Sequence, residues 1–203
     1  MIRYRRTKTA AHTLMELLIT LVILVTLTRL SVGGFSRLLA QGELEAGMDN
    51  FSALLRKARQ RAVTETTFTI ICPGQPRLEA GRLTPRCGPR DSWSQGTIAF
   101  QDQDGDIATT EDTSLLGATS PLHQQIRIVW RAFRNRPYLL FTPSGLTDWQ
   151  NGRFVFCQQR AEGHIQHAIV INSAGRTYRR EELTGAQTLD PAQCPASVPS
   201  ASP

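Results

Sequence analysis

Residues 11–21, Ala11-His12-Thr13-Leu14-Met15-Glu16-Leu17-Leu18-Ile19-Thr20-Leu21, open an apolar run that carries one charge, Glu16, and continues to Thr28. From Leu14 to Leu30 the run is about 17 residues long, near the lower limit for crossing a hydrocarbon core of roughly 30 Å. Ahead of it, Arg3, Arg5, Arg6 and Lys8 form a short basic leader, and no further Lys or Arg appears until Arg29. By the positive-inside rule this predicts a cytoplasmic N-terminus, a membrane helix over about 14–30 and a head on the far side of the membrane. A cleaved secretory signal would close on small residues in an A-x-A pattern, whereas Thr28-Arg29-Leu30 stand there. A plain signal anchor fits the length but leaves Glu16 unexplained, because a carboxylate in lipid costs on the order of 3 kcal/mol unless it finds a partner.

Downstream, the helical pattern does not stop at the membrane. Residues 13–65 contain no proline, and Phe51, Leu54, Leu55, Ala58 and Ala62 recur at helical spacing. Some 50 residues at 1.5 Å each make a helix of roughly 75 Å, too long to lie within one small domain. The first half is expected in membrane or filament and the second half against a sheet. Gly33, Gly34, Gly42 and Gly47 weaken its middle. Beyond residue 65 the texture changes. Residues 67–72 (TFTIIC), 96–101 (GTIAFQ), 126–131 (IRIVWR), 138–141 (YLLF), 153–157 (RFVFC) and 168–172 (AIVIN) are rich in β-branched and aromatic side chains, separated by Gly, Pro, Asp and Asn. One long helix followed by a run of strands predicts an α+β chain with the helix covering a sheet. The organisation expected is a leader over 1–11, the helix over 12–65, a β-rich head over 66–184 and a loose, proline-containing tail over 185–203.

The N-terminal string resembles the class III signal of type IV pilins and type II secretion pseudopilins, in which a basic leader is cut before an N-methylated residue and a carboxylate follows five residues into the mature chain. The resemblance implies cleavage by a prepilin peptidase between Ala11 and His12, where the family usually has Gly and Phe. It places Glu16 at the carboxylate position, meeting the amino terminus of a neighbouring subunit inside a filament, a physically sensible partner for a buried charge. Later marks, in order, are Ile71-Cys72-Pro73, Trp93-Ser94-Gln95-Gly96, Phe100 with Asp102, Asp104, Gly105, Asp106 and Glu111, Phe141-Thr142-Pro143-Ser144-Gly145, Phe154-Val155-Phe156-Cys157 and Gly175-Arg176. These resemble the GspH/FimT branch of minor pilins. The resemblance implies the pilin fold with two facing sheets against the helix, insertion in the inner membrane with a periplasmic head, and assembly with other major and minor pilins. It implies work in a pilus tip or priming complex, or else in a secretion pseudopilus.

The chain has 203 residues, 40% of them hydrophobic and 20% charged, with 15 glycines and 11 prolines, which excludes collagen-like and low-complexity classes. Four of the six net positive charges come from the leader, so the head is nearly balanced and any anion-binding role must come from a local cluster. Cys72, Cys87, Cys157 and Cys194 are widely spaced with no CxxC, which argues against zinc-ribbon and thioredoxin-type sites. Of three possible connectivities, Cys72–Cys87 with Cys157–Cys194 is the most local, and it requires an oxidising compartment.

Gly175-Arg176-Thr177-Tyr178-Arg179-Arg180 places three arginines beside a tyrosine able to stack on a base, a pattern suited to phosphates. In the FimT branch a Gly-Arg-x-Arg motif near the C-terminus binds double-stranded DNA during uptake for natural transformation. Gly175 and Arg176 match that motif, Arg179 falls one residue beyond it, and Glu181-Glu182 follow at once. A second basic group, Arg56, Lys57, Arg59 and Arg61, lies on the helix, where 56 pairs with 59 and 57 with 61 on the surface. Asp102, Asp104, Asp106 and Glu111 depart from calcium-loop spacing, with Ile107 where the loop needs glycine, and read better as an Asx-type turn. His123, His164 and His167 fall in different surroundings, and no Gly-rich phosphate loop, HExxH or nucleophile elbow occurs. The expectation is a structural protein with no catalytic residue, metal or cofactor.

Overall fold

In the computed structural model, residues 13–79, 81–103, 105, 107, 113–134, 136–160, 163–181, 183–190 and 193–194 are described, without the side chains of 29–38, 40 and 186. The leader, with Ala11 and His12, lies outside the described residues, as do Asp104, Asp106, Glu111 and Glu182. Helix α1 spans Leu14–Thr64. It opens on a Thr-x-x-Glu capping box, with Thr13 Oγ1 accepting the Glu16 N–H at 3.3 Å. The chain divides into two compact units, one ending at Gly42 and one running from Glu43 to Pro203.

In the first unit, the apolar side chains of residues 14–27 are exposed on every side of the helix. The hydroxyls among them bond inward. Thr20 donates to Leu17 O at 2.9 Å, Thr26 to Ile23 O at 2.8 Å and Thr28 to Val25 O at 2.9 Å. Among the described residues no helix is long and apolar enough to cross a membrane.

The second unit holds the remaining turns of α1 and the strands β1 (Phe68–Pro73), β2 (Arg77–Glu79), β3 (Arg82–Thr84), β4 (Thr97–Asp102), β5 (Leu115–Thr119), β6 (Ile126–Ala132), β7 (Leu139–Phe141), β8 (Gly152–Arg160), β9 (Gly163–Ile171) and β10 (Thr177–Arg180). They form two antiparallel four-stranded sheets, β5-β4-β1-β7 and β10-β9-β8-β6, plus a hairpin of β2 and β3. The α+β pilin architecture expected from the sequence is what forms. The two-residue side-chain period decides each face. Ile71, Ala99, Leu139 and Phe141 of the first sheet share a core with Ile128, Trp130, Phe154, Phe156, Ile169 and Ile171 of the second, around Leu44, Met48, Phe51, Leu55, Ala58 and Ala62 of α1. The intervening residues Ile70, Cys72, Ile98, Phe100 and Leu140 make a second cluster on the far side of the first sheet. Buried Thr69 donates through Oγ1 to Ala58 O at 3.1 Å, tying β1 to the helix. At the helix end, Glu65 accepts from both Arg61 and Gln101, and these bonds hold its carboxyl below the usual carboxylate range.

The outer face of the second sheet is covered by the chain beyond β10. Leu189 and Cys194 are buried against Val155, Cys157 and Ala168, and Gln166 bonds both the N–H and the C=O of Leu189, at 2.7 and 3.0 Å. Leu189 and Cys194 are therefore packed on the sheet, while residues 195–203 of the tail expected over 185–203 lie outside the described residues. The disulfides are Cys72–Cys87 and Cys157–Cys194. Removing the second by Cys157→Ala/Cys194→Ala should lower the free energy of unfolding by about 2–4 kcal/mol in denaturant titrations under oxidising conditions. Equal midpoints would mean that Leu189 and Gln166 hold this segment unaided.

Candidate nucleic-acid interface

The turn between β9 and β10 is built around Gly175, whose φ is +72°. A Cβ added there would lie 2.2 Å from Gly145 O, so the position admits only glycine. Two loops meet here, and Arg59 of α1 joins them. Its Nε donates to Gly145 O at 3.1 Å and its Nη2 to Ala174 O at 3.2 Å. Thr147 N–H, from the same loop as Gly145, donates to Ser173 O at 3.0 Å. Gly175 therefore serves loop packing, and Arg59 works as a clamp rather than as part of a basic surface.

The second basic group on α1 dissolves in the same way. Lys57 Nζ donates to Leu116 O at 2.5 Å, and Arg61 pairs with Glu65. Arg56 alone of the four is exposed without a protein partner among the described residues. Helical spacing put these side chains on one surface, but a strand carbonyl takes up Lys57, two loops take up Arg59 and Glu65 at the helix end takes up Arg61.

Of the arginines near β10, Arg179 is withdrawn. Its Nη1 donates to Glu45 Oε2 at 3.2 Å and its Nη2 to Asp49 Oδ1 at 2.5 Å, both carboxylates on α1. Arg179, expected to grip DNA, thus holds the edge strand to the helix. Arg180 points to the opposite side of the sheet, as adjacent strand residues must, and bonds Gln187 Oε1 at 2.8 Å. Arg176 is exposed in the turn. Its backbone N–H donates to Asn172 Oδ1 at 2.9 Å, while its guanidinium has no protein partner among the described residues.

Tyr178 is half exposed and lies on the same outer face as Arg180. Cross-strand register sets a row there: Tyr178 faces Val170, Val170 faces Arg153, and Arg153 faces Arg131. Like charges directly opposite one another on neighbouring strands are destabilising. Partial burial, then the charge of Arg131, pushes the Arg153 guanidinium pKa down.

Beside this row the sequence reading missed Trp149, because a lone Trp in a TDWQNG turn carries no periodic signal. Asp148 and Trp149 both have left-handed backbones, φ +38° and +59°, unusual for non-glycine residues. Asp148 is held by Arg134 at 3.4 Å and Arg136 at 3.3 Å, and the buried Gln150 donates to Tyr138 O at 3.0 Å and accepts Leu140 N–H at 2.7 Å. With both neighbours fixed, Trp149 is turned into solvent, 66% exposed. Trp149, Arg153, Tyr178 and Arg180 line one cavity of about 490 Å³.

Elsewhere, Asp102 Oδ2 accepts the Ile107 N–H at 2.9 Å, five residues on, a wider closure than the two-residue span of an Asx turn. Among the described residues no group of His, Cys, Asp or Glu is placed to hold a metal ion.

A long helix whose second half is cradled by antiparallel sheets, with the head stapled by two disulfides, defines the class of minor pilins and pseudopilins. The model of one family, described as type II transport protein GspH, matches residues 48–175. The chain belongs to the GspH family. Two crystal structures of the type IV minor pilin FimU of Pseudomonas aeruginosa (strain PAO1) are similar to it, each 20% identical. The first, in space group P21, has a TM-score of 0.48 over 69% of this chain and 90% of that one. The second, in space group P65, has a TM-score of 0.45 over 67% and 91%. No curated protein matches the chain.

Gly175→Ala should destabilise the head by about 2 kcal/mol or more, since it combines a left-handed φ with a backbone clash. Arg176→Gln should stay within about 0.5 kcal/mol of the unsubstituted protein. Thermal unfolding of the two variants checks both.

Proposed function

We propose that the protein is a non-enzymatic minor pilin, inserted in the inner membrane by residues 14–30 with its head in the periplasm, that acts in the tip or priming complex of a type IV pilus. The observation that carries this reading is the helix over residues 14–28. Apolar side chains surround it and are exposed in the isolated chain, while its threonine hydroxyls bond only to its own carbonyls. Such a helix needs an apolar cover on every side, first lipid and then the helices of other major and minor pilins. Glu16, at the third turn position after the cap, then serves as the charge that meets a neighbour's amino terminus after prepilin peptidase cuts between Ala11 and His12. The exposed Arg176 and Tyr178, with Arg180 beside them, support a second activity of the head, DNA binding for uptake in natural transformation.

A second reading, a minor pseudopilin of type II secretion that handles protein export, is favoured by the description of the matching family. Deleting the gene separates the two. Loss of surface pili with intact secretion supports the pilus, and the reverse supports the pseudopilus.

Coexpression with a prepilin peptidase should release the leader at the bond between Ala11 and His12, read by intact mass. Glu16→Ala should leave that cleavage and membrane insertion intact while abolishing incorporation into sheared filaments. Normal incorporation of Glu16→Ala would contradict the role given to this carboxylate.

A further inference from the structure

We infer that the cavity bordered by Trp149 and Tyr178 binds a neutral saccharide, with a pyranose ring laid on the Trp149 indole and its hydroxyls bonded to Asn151, Asn172 and Ser173. Trp149 is 66% exposed and Tyr178 49% exposed, and both border the same space of about 490 Å³. That volume lies in the ordinary range of ligand sites, about 300–1,000 Å³. Such a site goes beyond pilus assembly, and it is separate from the DNA reading of Arg176, which does not line the cavity.

Three observations point to this ligand. The first is the turn that presents the ring. Asp148 and Trp149 are consecutive left-handed residues, held in place by Arg134 and Arg136 on one side and by the buried Gln150 on the other. Backbone strain of this kind collects at ligand sites, and here it keeps a large apolar face in water. A flat C–H surface laid on the indole would cover it. The second is the set of polar groups beside the ring. Asn151, Asn172 and Ser173 line the cavity and are exposed. The Asn151 amide, Asn172 Nδ2 and the Ser173 hydroxyl have no protein partner among the described residues, while Asn172 Oδ1 accepts the Arg176 N–H at 2.9 Å. These are uncharged donors and acceptors, the kind a polyol matches. The third is the state of the charges. Arg180 bonds Gln187 Oε1 at 2.8 Å and Arg153 has a partner of its own, so both arginines that line the cavity are already engaged. A chain of phosphates would need free cations there. A pyranose needs only a flat ring for its C–H face and amides for its rim of hydroxyls.

The protein carries its own reporter. Of its three tryptophans, Trp93 and Trp130 are buried in the core and Trp149 is exposed, so a ring seated on the indole is read through Trp149 emission. The full chain, in a detergent without a sugar headgroup, would be titrated with cellotetraose and with mannotetraose, β-linked oligomers of neutral pyranoses, up to about 10 mM. Tryptophan emission and heat of binding would be followed together. Binding of one or both should saturate and shift Trp149 emission to shorter wavelength. Its affinity should hold within about twofold between roughly 50 and 500 mM salt, since no phosphate contact is involved. Trp149→Gly removes the ring while suiting the left-handed backbone, so it should fold normally by thermal unfolding and weaken binding about tenfold or more. Asn151→Ala should weaken it about threefold or more, and Arg176→Gln should leave it unchanged. Lack of saturable binding of either sugar, or binding that Trp149→Gly leaves intact, would overturn the inference. Trp149 emission that responds to an oligothymidylate and to neither sugar would overturn it as well, and would give the ring to nucleic acid.

Discussion

Phe51 meets Phe154 at 4.7 Å, Phe156 at 5.5 Å and Trp93 at 6.3 Å between ring centroids, each edge to face. Trp130 stacks on Phe154 at 4.0 Å. Through these rings and the aliphatic residues above and below Phe51, one face of α1 is buried against both sheets at once. The inner faces of both sheets share one core with this face of the helix, so the register of the helix bears on where both sheets lie. Edge-to-face aromatic pairs add about 0.5–1.5 kcal/mol each beyond the area they bury. The contacts at the periphery depend on this placement. Arg59 can clamp the Gly145 and Gly175 loops only because Ala58 and Ala62 hold its turn of helix beneath them, and Arg179 reaches Glu45 and Asp49 for the same reason.

The same constraint decides which positive charges are left for ligands. A helix buried on one side still meets sheet edges along its flanks, and long basic side chains there bond to backbone carbonyls within reach. Lys57 and Arg59 are used in this way, and Arg179 of β10 is taken up by the helix carboxylates Glu45 and Asp49. The outer face of the second sheet is different. Leu189 and Cys194 cover its centre, and a space lined by Trp149 and Tyr178 lies at one end. Chemistry for a ligand therefore collects at that end, away from the packed helix.

Much of the fold was legible in the sequence because periodicity reports burial. The spacing of Phe51, Leu55, Ala58 and Ala62 marked the buried helix face, and strands as apolar as TFTIIC and RFVFC could hardly be anything else. β2, β3, β5 and β10 were missed. Arg77–Glu79 and Arg82–Thr84 are short and exposed, Leu115–Thr119 is interrupted by Gly117, and Thr177–Arg180 carries two arginines that pattern reading assigns to a loop. The interface was half legible. Gly175, Arg176 and Tyr178 stood out as a motif, but Arg179 and Arg180 face opposite sides of a strand, and only cross-strand register brings Arg131, Arg153 and Tyr178 into one row. Trp149 depends on a left-handed turn that nothing in its neighbours announces.

If the buried face of α1 is the shared spine of the head, the two sheets must open together. Native-state hydrogen exchange tests this most directly, following the amides of Ile71 and Ala99 in the first sheet and of Phe154 and Ile169 in the second, with Phe51→Leu as the perturbation. The prediction is a common opening free energy for all four, lowered by the same amount in the variant. Loss of protection in one sheet, with the other unchanged, would contradict it and mean that the sheets fold as independent units on the helix.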